Sequence, residues 1–275
     1  MKNGIYLVAT PIGNISDISL RALDVLKNAD IVACEDTRVT KKLFSLLAIS
    51  TSGKTFVTMH DHNEEEISQS LIDSVNNGHT VAYVSDAGSP LISDPGYKLA
   101  KKCRRQNIYL TTIPGACAAV CALQLSGLPS NSFTFAGFIP NKEQARKNTF
   151  LKYKNYDSTL IFYETANRLV KTLEVIKEIY TCREIAVVRE ITKLYEDCKS
   201  GNAEELIQYY TTNPPKGEIV LIISPTTENI VVDYEDELKE ELKKTTLKTA
   251  VKTITEKYNL NKNEVYQKAL ELKND

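Results

Sequence analysis

Residues 85–96 read SDAGSPLISDPG and follow directly on the apolar run TVAYV. A chain that leaves a buried strand and then places two Asp, two Gly, two Pro and three Ser before any helix has the composition of a loop that binds rather than one that merely connects. Asp86 puts a carboxylate at the strand end, and Gly88 lets a ligand approach the backbone closely. Asp94-Pro95 has the form of a cap for the helix that follows, and Asp94 is expected to serve as one. Three other groups of residues carry comparable chemistry. VATPIGN (8–14) holds Pro11 and Gly13 in a turn that offers backbone groups; it has neither a dinucleotide fingerprint nor Walker A spacing, and alone it reads as a plain connection. IPGACA (113–118) turns at Gly115 into a helix of Ala and Cys, whose small side chains allow either tight helix packing or a flat ligand against the backbone. FYETANR (162–168) and VREITKLYE (188–196) gather carboxylates and basic side chains at strand ends, where charges are more often solvated or paired.

These loops need strands to position them. Short β-branched runs at 5–9, 31–35, 56–59, 80–84 and 108–113 read as buried strands, and helical periodicity at 19–29, 37–48, 63–76 and 97–106 alternates with them, as in a parallel sheet. GLPSNS marks a junction, after which the pattern resumes with strands at 133–138, 159–164, 184–190 and 217–223 and helices near 143–155, 166–179 and 203–210. The expected organisation is two α/β domains, 1–127 and 128–232, followed by a small helical appendage at 233–275. In the appendage, LKTAVKTITEKYNLNKNEVYQKALELK reads as two amphipathic helices joined by YNLNKN, with a helix-turn-helix outline.

With 42% apolar and 25% charged residues the 275-residue chain has the composition of a soluble globular protein. A net charge of -1, from 34 basic and 35 acidic side chains, gives no global field toward nucleic acid or an anionic membrane, so any basic surface is local. The first residues lack a signal-peptide core and no apolar run is long enough for a membrane span, so no membrane partner is expected. Six cysteines without C-x-x-C spacing suit reduced thiols, and the cytoplasm is the expected compartment.

Taken together, the segment VATPIGNISDISLRALDVLKNADIVACEDTRVTKKL and the motifs SDAGSPLISDPG, IPGACA, GLPSNSFTFAGFIP, IFYE and REITKLYE resemble the tetrapyrrole methylase superfamily, in its 16S ribosomal RNA cytidine 2′-O-methyltransferase branch. The resemblance runs from about Gly4 to Ile223 and implies an S-adenosylmethionine-dependent homodimer with the cofactor in the cleft between the two α/β domains. Carried onto this chain, the cofactor pocket is formed by Pro11, then Asp86, Ala87, Gly88 and Ser89, then Gly115, Cys117 and Ala118, with Tyr163 and Gly217 closing it from the second domain. Three segments depart from the family pattern: Thr165-Ala166-Asn167-Arg168 replaces Ser-Pro-His-Arg, Pro140-Asn141-Lys142 replaces Pro-Arg-Lys, and Gly115-Ala116-Cys117 replaces Gly-Pro-Ser.

Methyl transfer from a sulfonium needs the acceptor oxygen in line with the methyl-sulfur bond, and a ribose hydroxyl must shed its proton, so nearby carboxylates and cations are sought. Asp36 and Arg38 of CEDTR, Glu164 of FYE and Glu190 of REITKLYE are the expected catalytic side chains; the alternative for each is a structural ion pair. The segment NKEQARKNTFLKYKNY (141–156) supplies Lys142, Arg146, Lys147, Lys152 and Lys154 around Phe150, Tyr153 and Tyr156 for RNA in the small ribosomal subunit; no DNA partner is implied. HDH (60–62) lacks a third ligand at metal spacing, and Cys117 with Cys121 at i, i+4 suits helix packing, so no metal is expected. Two other readings stay open: the same cofactor chemistry on a tetrapyrrole or protein side chain, and a non-catalytic RNA-binding assembly factor.

Overall fold

The structure is a computed structural model that describes residues 1–180, 182–226, 234–258 and 262–274. The chain forms two compact units, Met1–Thr227 and Glu228–Asp275. The boundary expected at 232/233 lies outside the described residues.

The first unit opens with strands β1 (Gly4–Val8), β2 (Ile31–Cys34), β3 (Thr55–Thr58), β4 (Thr80–Val84) and β5 (Leu110–Ile113), alternating with helices α1 (Leu20–Asn28), α2 (Thr37–Leu46), α3 (Glu64–Asn76) and α4 (Tyr97–Arg105). The strands form one parallel sheet in the order β3-β2-β4-β1-β5. The central strands are apolar on both faces because helices cover both: Val8, Ala82 and Val84 face a cluster with α1, and Ile5, Val81 and Tyr83 face one with α3 and α4. In this order the loops after β1 and β4 leave adjacent strands side by side at the carboxyl edge, where open α/β sheets bind ligands.

The helix α5 (Ala118–Ser126) ends at Gly127 in the left-handed conformation. Strands β6 (Phe133–Phe138), β7 (Thr159–Thr165), β8 (Ile185–Arg189), β9 (Asp197–Gly201) and β10 (Glu218–Ile223) follow, with α6 (Glu143–Lys152), α7 (Leu169–Ile179) and α8 (Ala203–Thr212) between them. Their sheet, β6-β7-β10-β8-β9, is mixed: β6 and β7 are parallel, and the other pairs are antiparallel. β9 (DCKSG) has no apolar alternation and was not anticipated; it is a polar edge strand whose pairing with β8 creates it. α5 precedes the junction expected at 127, yet Ala119, Ala122 and Leu123 pack against Ile161, Val188 and Val220 of this second sheet. Its small residues therefore serve close helix-sheet packing.

The second unit contains α9 (Glu235–Lys244), α10 (Leu247–Tyr258) and α11 (Lys262–Asn274), around a core of Leu238, Val251, Ile254, Val265 and Ala269. Two helices were expected. The third, α9, is almost wholly charged; its acidic first turn and basic last turn complement the helix dipole. Half of the joint expected at YNLNKN, residues 259–261, lies outside the described residues.

Candidate active site

Three loops at the carboxyl edge of the first sheet are tied to one another. Thr10 and Gly88 exchange backbone hydrogen bonds of 2.9 and 3.1 Å, which joins the loop after β1 to the loop after β4. Ser89 Oγ donates to the Ala116 carbonyl at 2.9 Å, joining the second loop to the third. Gly115 is needed for the same reason: a Cβ there would stand 2.9 Å from that of Ala9.

The 85–96 loop is held in an unusual backbone. Gly88 and Gly96 have φ of 84° and 125°, and the non-glycine residues Leu91 and Ser93 also sit at positive φ, 71° and 66°. Such conformations persist only where surrounding contacts enforce them, and they collect at functional sites. Tyr83 Oη donates to the Pro95 carbonyl at 2.7 Å, and Glu64 Oε1 accepts from the backbone of Gly96 and Lys98 at 2.9 and 2.7 Å. Glu64, reaching across from α3, thus caps α4, and the expected cap Asp94 does not. Freed from that role, Asp94 turns into a cavity.

That cavity, about 390 Å³, lies between the two sheets and falls in the size range of small-molecule sites. Asp86, Ala87, Gly88 and Ser89 form one wall with Asp94; Cys117 and Ala118 form another; Tyr163 and Gly217 close it from the second sheet. Pro11 and Gly115, also expected here, do not line it. Ile12 takes the place of Pro11, and Gly115 acts through its contact with Ala9. Sequence reasoning missed Ile92, Ser93, Phe138, Thr165 and residues 218–220. Phe138, a strand-end aromatic left 59% exposed, was the one with a sequence signal. Phe135 and Phe138 meet the Tyr163 ring edge-on at 4.9 and 5.2 Å, and burial pushes the Tyr163 phenol up to about 12.

The cavity's charge is negative. Burial, with the neighbouring Glu35 carboxylate, raises Asp94 to about 6, and burial also raises Asp86. Asp86 Oδ1 accepts from the Asp36 backbone at 3.2 Å. An apolar pocket edged by two carboxylates with raised pKa suits a ligand that is flat and apolar at one part and cationic at another.

None of the four expected catalytic side chains stands free. Asp36 caps α2 and grips Arg38 at 2.7 Å, a hydrogen-bonded pairing that lowers Asp36 to about 2; Arg38 itself is 90% exposed. Glu164 lines the cavity but is buried, and both oxygens are taken: Oε1 by the Thr165 backbone at 2.7 Å and by Arg168, Oε2 by Thr172 Oγ1 at 2.6 Å. Glu190, at φ 51°, accepts from the Glu218 backbone at 3.0 Å, which holds it below the usual carboxylate range, and pairs with Lys193 at 3.1 Å. Its carboxylate fills the space a Gly217 side chain would need, 2.1 Å from an ideal Cβ. Gly13 is likewise pressed against Thr192 and Lys193, and Asn14 N–H donates to Thr192 Oγ1 at 3.1 Å, so the first loop meets the second sheet's loop there.

The basic segment divides. Lys142, Lys152 and Lys154 are exposed, and Lys147 pairs with Glu178 at 2.9 Å. Arg146 is turned inward, its guanidinium donating to the Pro140 and Asn141 carbonyls, and Phe150 is in the core. Arg146 therefore shapes the loop after β6 and presents no charge to a nucleic acid. Among the described residues no group of three or more His, Cys, Asp or Glu is arranged to hold a metal ion.

Comparison with known proteins gives the site its family. Residues 4–207 match the family model described as Tetrapyrrole (Corrin/Porphyrin) Methylases. The chain is 46% identical to a "Ribosomal RNA small subunit methyltransferase I" of Erythrobacter litoralis, over 99% of this chain and 96% of that one. It is 37% identical to the protein of the same name from Escherichia coli O157:H7, over 97% and 94%. Among solved structures, a diphthine synthase superposes with a TM-score of 0.62 at 16% identity, covering 80% of this chain and 89% of that one. The uroporphyrin-III-C-methyltransferase of Thermus thermophilus gives 0.54 at 22%, covering 80% and 94%. At such identities the structural likeness bears on the fold alone. On the match to the family model and on relatives aligned over nearly their whole length, the chain belongs to the tetrapyrrole methylase family.

Proposed function

We propose that this protein is an S-adenosylmethionine-dependent methyltransferase acting on the 2′-oxygen of a cytidine ribose in the decoding region of 16S ribosomal RNA. The observation that carries the reading is the near end-to-end alignment, at 46% identity, with a relative named a ribosomal RNA small subunit methyltransferase, joined to a cavity whose chemistry fits the methyl donor. The fit rests on charge and surface. The donor carries a sulfonium and an ammonium beside a flat purine; Asp86 and Asp94 supply the opposite charge, and Ile12, Ala118 and Val220 supply apolar wall.

When bound, the donor supplies a methyl group made electrophilic by a positively charged sulfur. The protein's contribution is to hold and orient. The apolar wall displaces water, which strengthens the attraction between the two carboxylates and the donor's cations. Glu164 fixes the end of β7 through Arg168 and Thr172, and so fixes Tyr163 and Thr165 at the cavity. Glu190 does the same for the 217–218 turn. With these carboxylates engaged, rate comes from bringing the acceptor oxygen into line with the transferable methyl. Arg38 and the exposed Lys142, Lys152 and Lys154 are the side chains for RNA phosphates.

The enzyme acts in the cytoplasm as a homodimer in this reading. All six cysteines are free, which suits a reducing compartment, and Val120, Leu125 and Phe133 leave apolar surface for a second copy. No helix among the described residues is long and apolar enough to cross a membrane.

Asp94 gives the reading a pH dependence with a definite sign. A carboxyl at about 6 in the folded protein holds its proton more tightly than in the unfolded chain, so this group makes the free protein less stable as pH rises from about 4 to 6. Binding of a cationic donor runs the opposite way, because the proton must leave first. Calorimetric titration with S-adenosylmethionine is expected to show affinity falling below pH 6, by up to about tenfold per unit, and level above pH 7. Asp94→Asn is expected to flatten both curves. A pH-independent affinity in the unsubstituted protein would remove Asp94 from the donor site.

Methyl transfer from labelled donor to purified small subunits that lack the modification tests the whole reading. Label on a cytidine ribose is expected. Label on a base, on protein or on a tetrapyrrole instead, or donor binding without transfer, would replace it.

A further inference from the structure

A second cavity, about 630 Å³, opens on the outer side of the turn that closes the donor cleft. The two are joined through the backbone: Lys216 lines this cavity and the next residue, Gly217, lines the cleft. Glu190, which borders the second cavity, bonds to the Glu218 backbone at the first.

Its lining is aromatic, with two cations, Arg189 and Lys216, and two carboxylates, Glu190 and Asp197. Tyr195 is 69% exposed at the rim with Tyr209, whose ring carries Lys199 Nζ over one face at 4.0 Å from the centroid. Arg189 also lines it, paired with Asp197 at 3.3 Å, while Lys216 stands exposed at the edge. Tyr210 packs edge-on against Tyr209 at 5.0 Å and is only 2% exposed. Its hydroxyl has no hydrogen-bond partner among the described residues. A buried hydroxyl left unpaired carries a free-energy cost that a bound polar group would relieve, and such groups are uncommon enough to require a reason.

We propose that this cavity holds an unpaired nucleotide of the RNA, one flanking the nucleotide whose ribose enters the cleft; the proposal rests on the RNA reading given above. Exposed tyrosine faces accept a nucleobase by stacking, Lys216 at the edge and Lys199 beside Tyr209 meet the phosphates, and Tyr210 Oη bonds an edge of the base. The succession of Lys216 and Gly217 places the two sites near enough for neighbouring nucleotides to occupy both. A proline-rich peptide would use the tyrosines but not the cations, so the nucleotide is the better match.

Two variants separate binding from folding. Tyr195→Ala alters an exposed side chain, and Tyr210→Phe removes only the unpaired oxygen. Each is expected to raise the KM for unmodified small subunits about tenfold, leaving donor affinity unchanged and thermal stability undiminished; for Tyr210→Phe, which removes a buried unpaired hydroxyl, stability is expected to rise. The second readout does not depend on methyl transfer. Full-length protein is irradiated with a short single-stranded RNA carrying 5-iodouridine, and the adduct is mapped by mass spectrometry; it is expected on Tyr195 or Tyr209. An unchanged KM in both variants with no adduct on these tyrosines would overturn the proposal. So would an adduct lost on adding excess uridine monophosphate that does not raise the KM for subunits, which would assign the cavity to a free nucleotide. An adduct here without methyl transfer to subunits would keep the nucleotide pocket and discard the proposed acceptor.

Discussion

Replacing Glu164 with Ala is expected to lower the stability of the protein by about 3–5 kcal/mol and its Tm by on the order of 10 °C. The carboxylate is 3% exposed and meets three partners, Arg168, Thr172 and the Thr165 backbone. Removing it leaves the largely buried Arg168 guanidinium and the Thr172 hydroxyl without their acceptor, and it is this uncompensated burial, more than the lost attraction, that costs. The double variant Glu164→Ala/Arg168→Ala is therefore expected to be less unstable than the sum of the two single changes. Additive losses would mean that the pair is not coupled as its geometry requires. Methyl transfer should fall with stability, because Tyr163 and Thr165 reach the cavity from the same strand end. A Glu164→Ala protein of normal stability with abolished transfer would instead make Glu164 a group that acts on the reacting atoms.

Asp86→Ala is expected to act on the methyl donor alone. The side chain lies at the cavity, and its only hydrogen bond described is from the Asp36 backbone at 3.2 Å, so its loss should leave Tm nearly unchanged. Losing a hydrogen bond to a charged group costs about 1.5–3 kcal/mol, an affinity loss for S-adenosylmethionine of roughly ten- to a hundredfold. Asp86→Asn keeps an acceptor for the Asp36 N–H but lacks the charge; it should weaken the donor to a similar extent. The neutral product, S-adenosylhomocysteine, should lose less in both variants, since it lacks the sulfonium. Equal losses for donor and product would show that Asp86 does not respond to the sulfur's charge.

The parts of the site that could be read from sequence are those whose signal is local. SDAGSPLISDPG departs so far from an economical connection that its special status is visible in composition, and Asp86 to Ser89 line the cavity. Asp94 shows the opposite case. Asp-Pro before a helix has the form of a cap, and only the position of Glu64, 32 residues before the cap residue Gly96 and on another helix, reveals that the cap is already supplied. Arg146 sits in a run of charge that reads as solvated; its inward turn depends on carbonyls exposed by the loop at Pro140 and Asn141, which no periodicity encodes. A structural ion pair was the alternative weighed for Glu164, but its partners Arg168 and Thr172 are brought to it by the turn and helix after β7, and the burial that decides it comes from the assembled sheet. β9 lacks an apolar pattern and α9 has only Leu238 and Leu242, at i, i+4, among charges; each is made by its neighbours, one by pairing with β8, the other by packing on α10 and α11.

The most direct test of the central claim is transfer of labelled methyl from S-adenosylmethionine to purified small ribosomal subunits from a strain in which the gene is deleted, with the product mapped to its nucleotide and atom. The expected result is label on the 2′-oxygen of a decoding-region cytidine, lost with Asp86→Ala and restored by raising donor concentration. Subunits from the deletion strain that already carry that ribose methyl, or label on any other atom, would contradict the account.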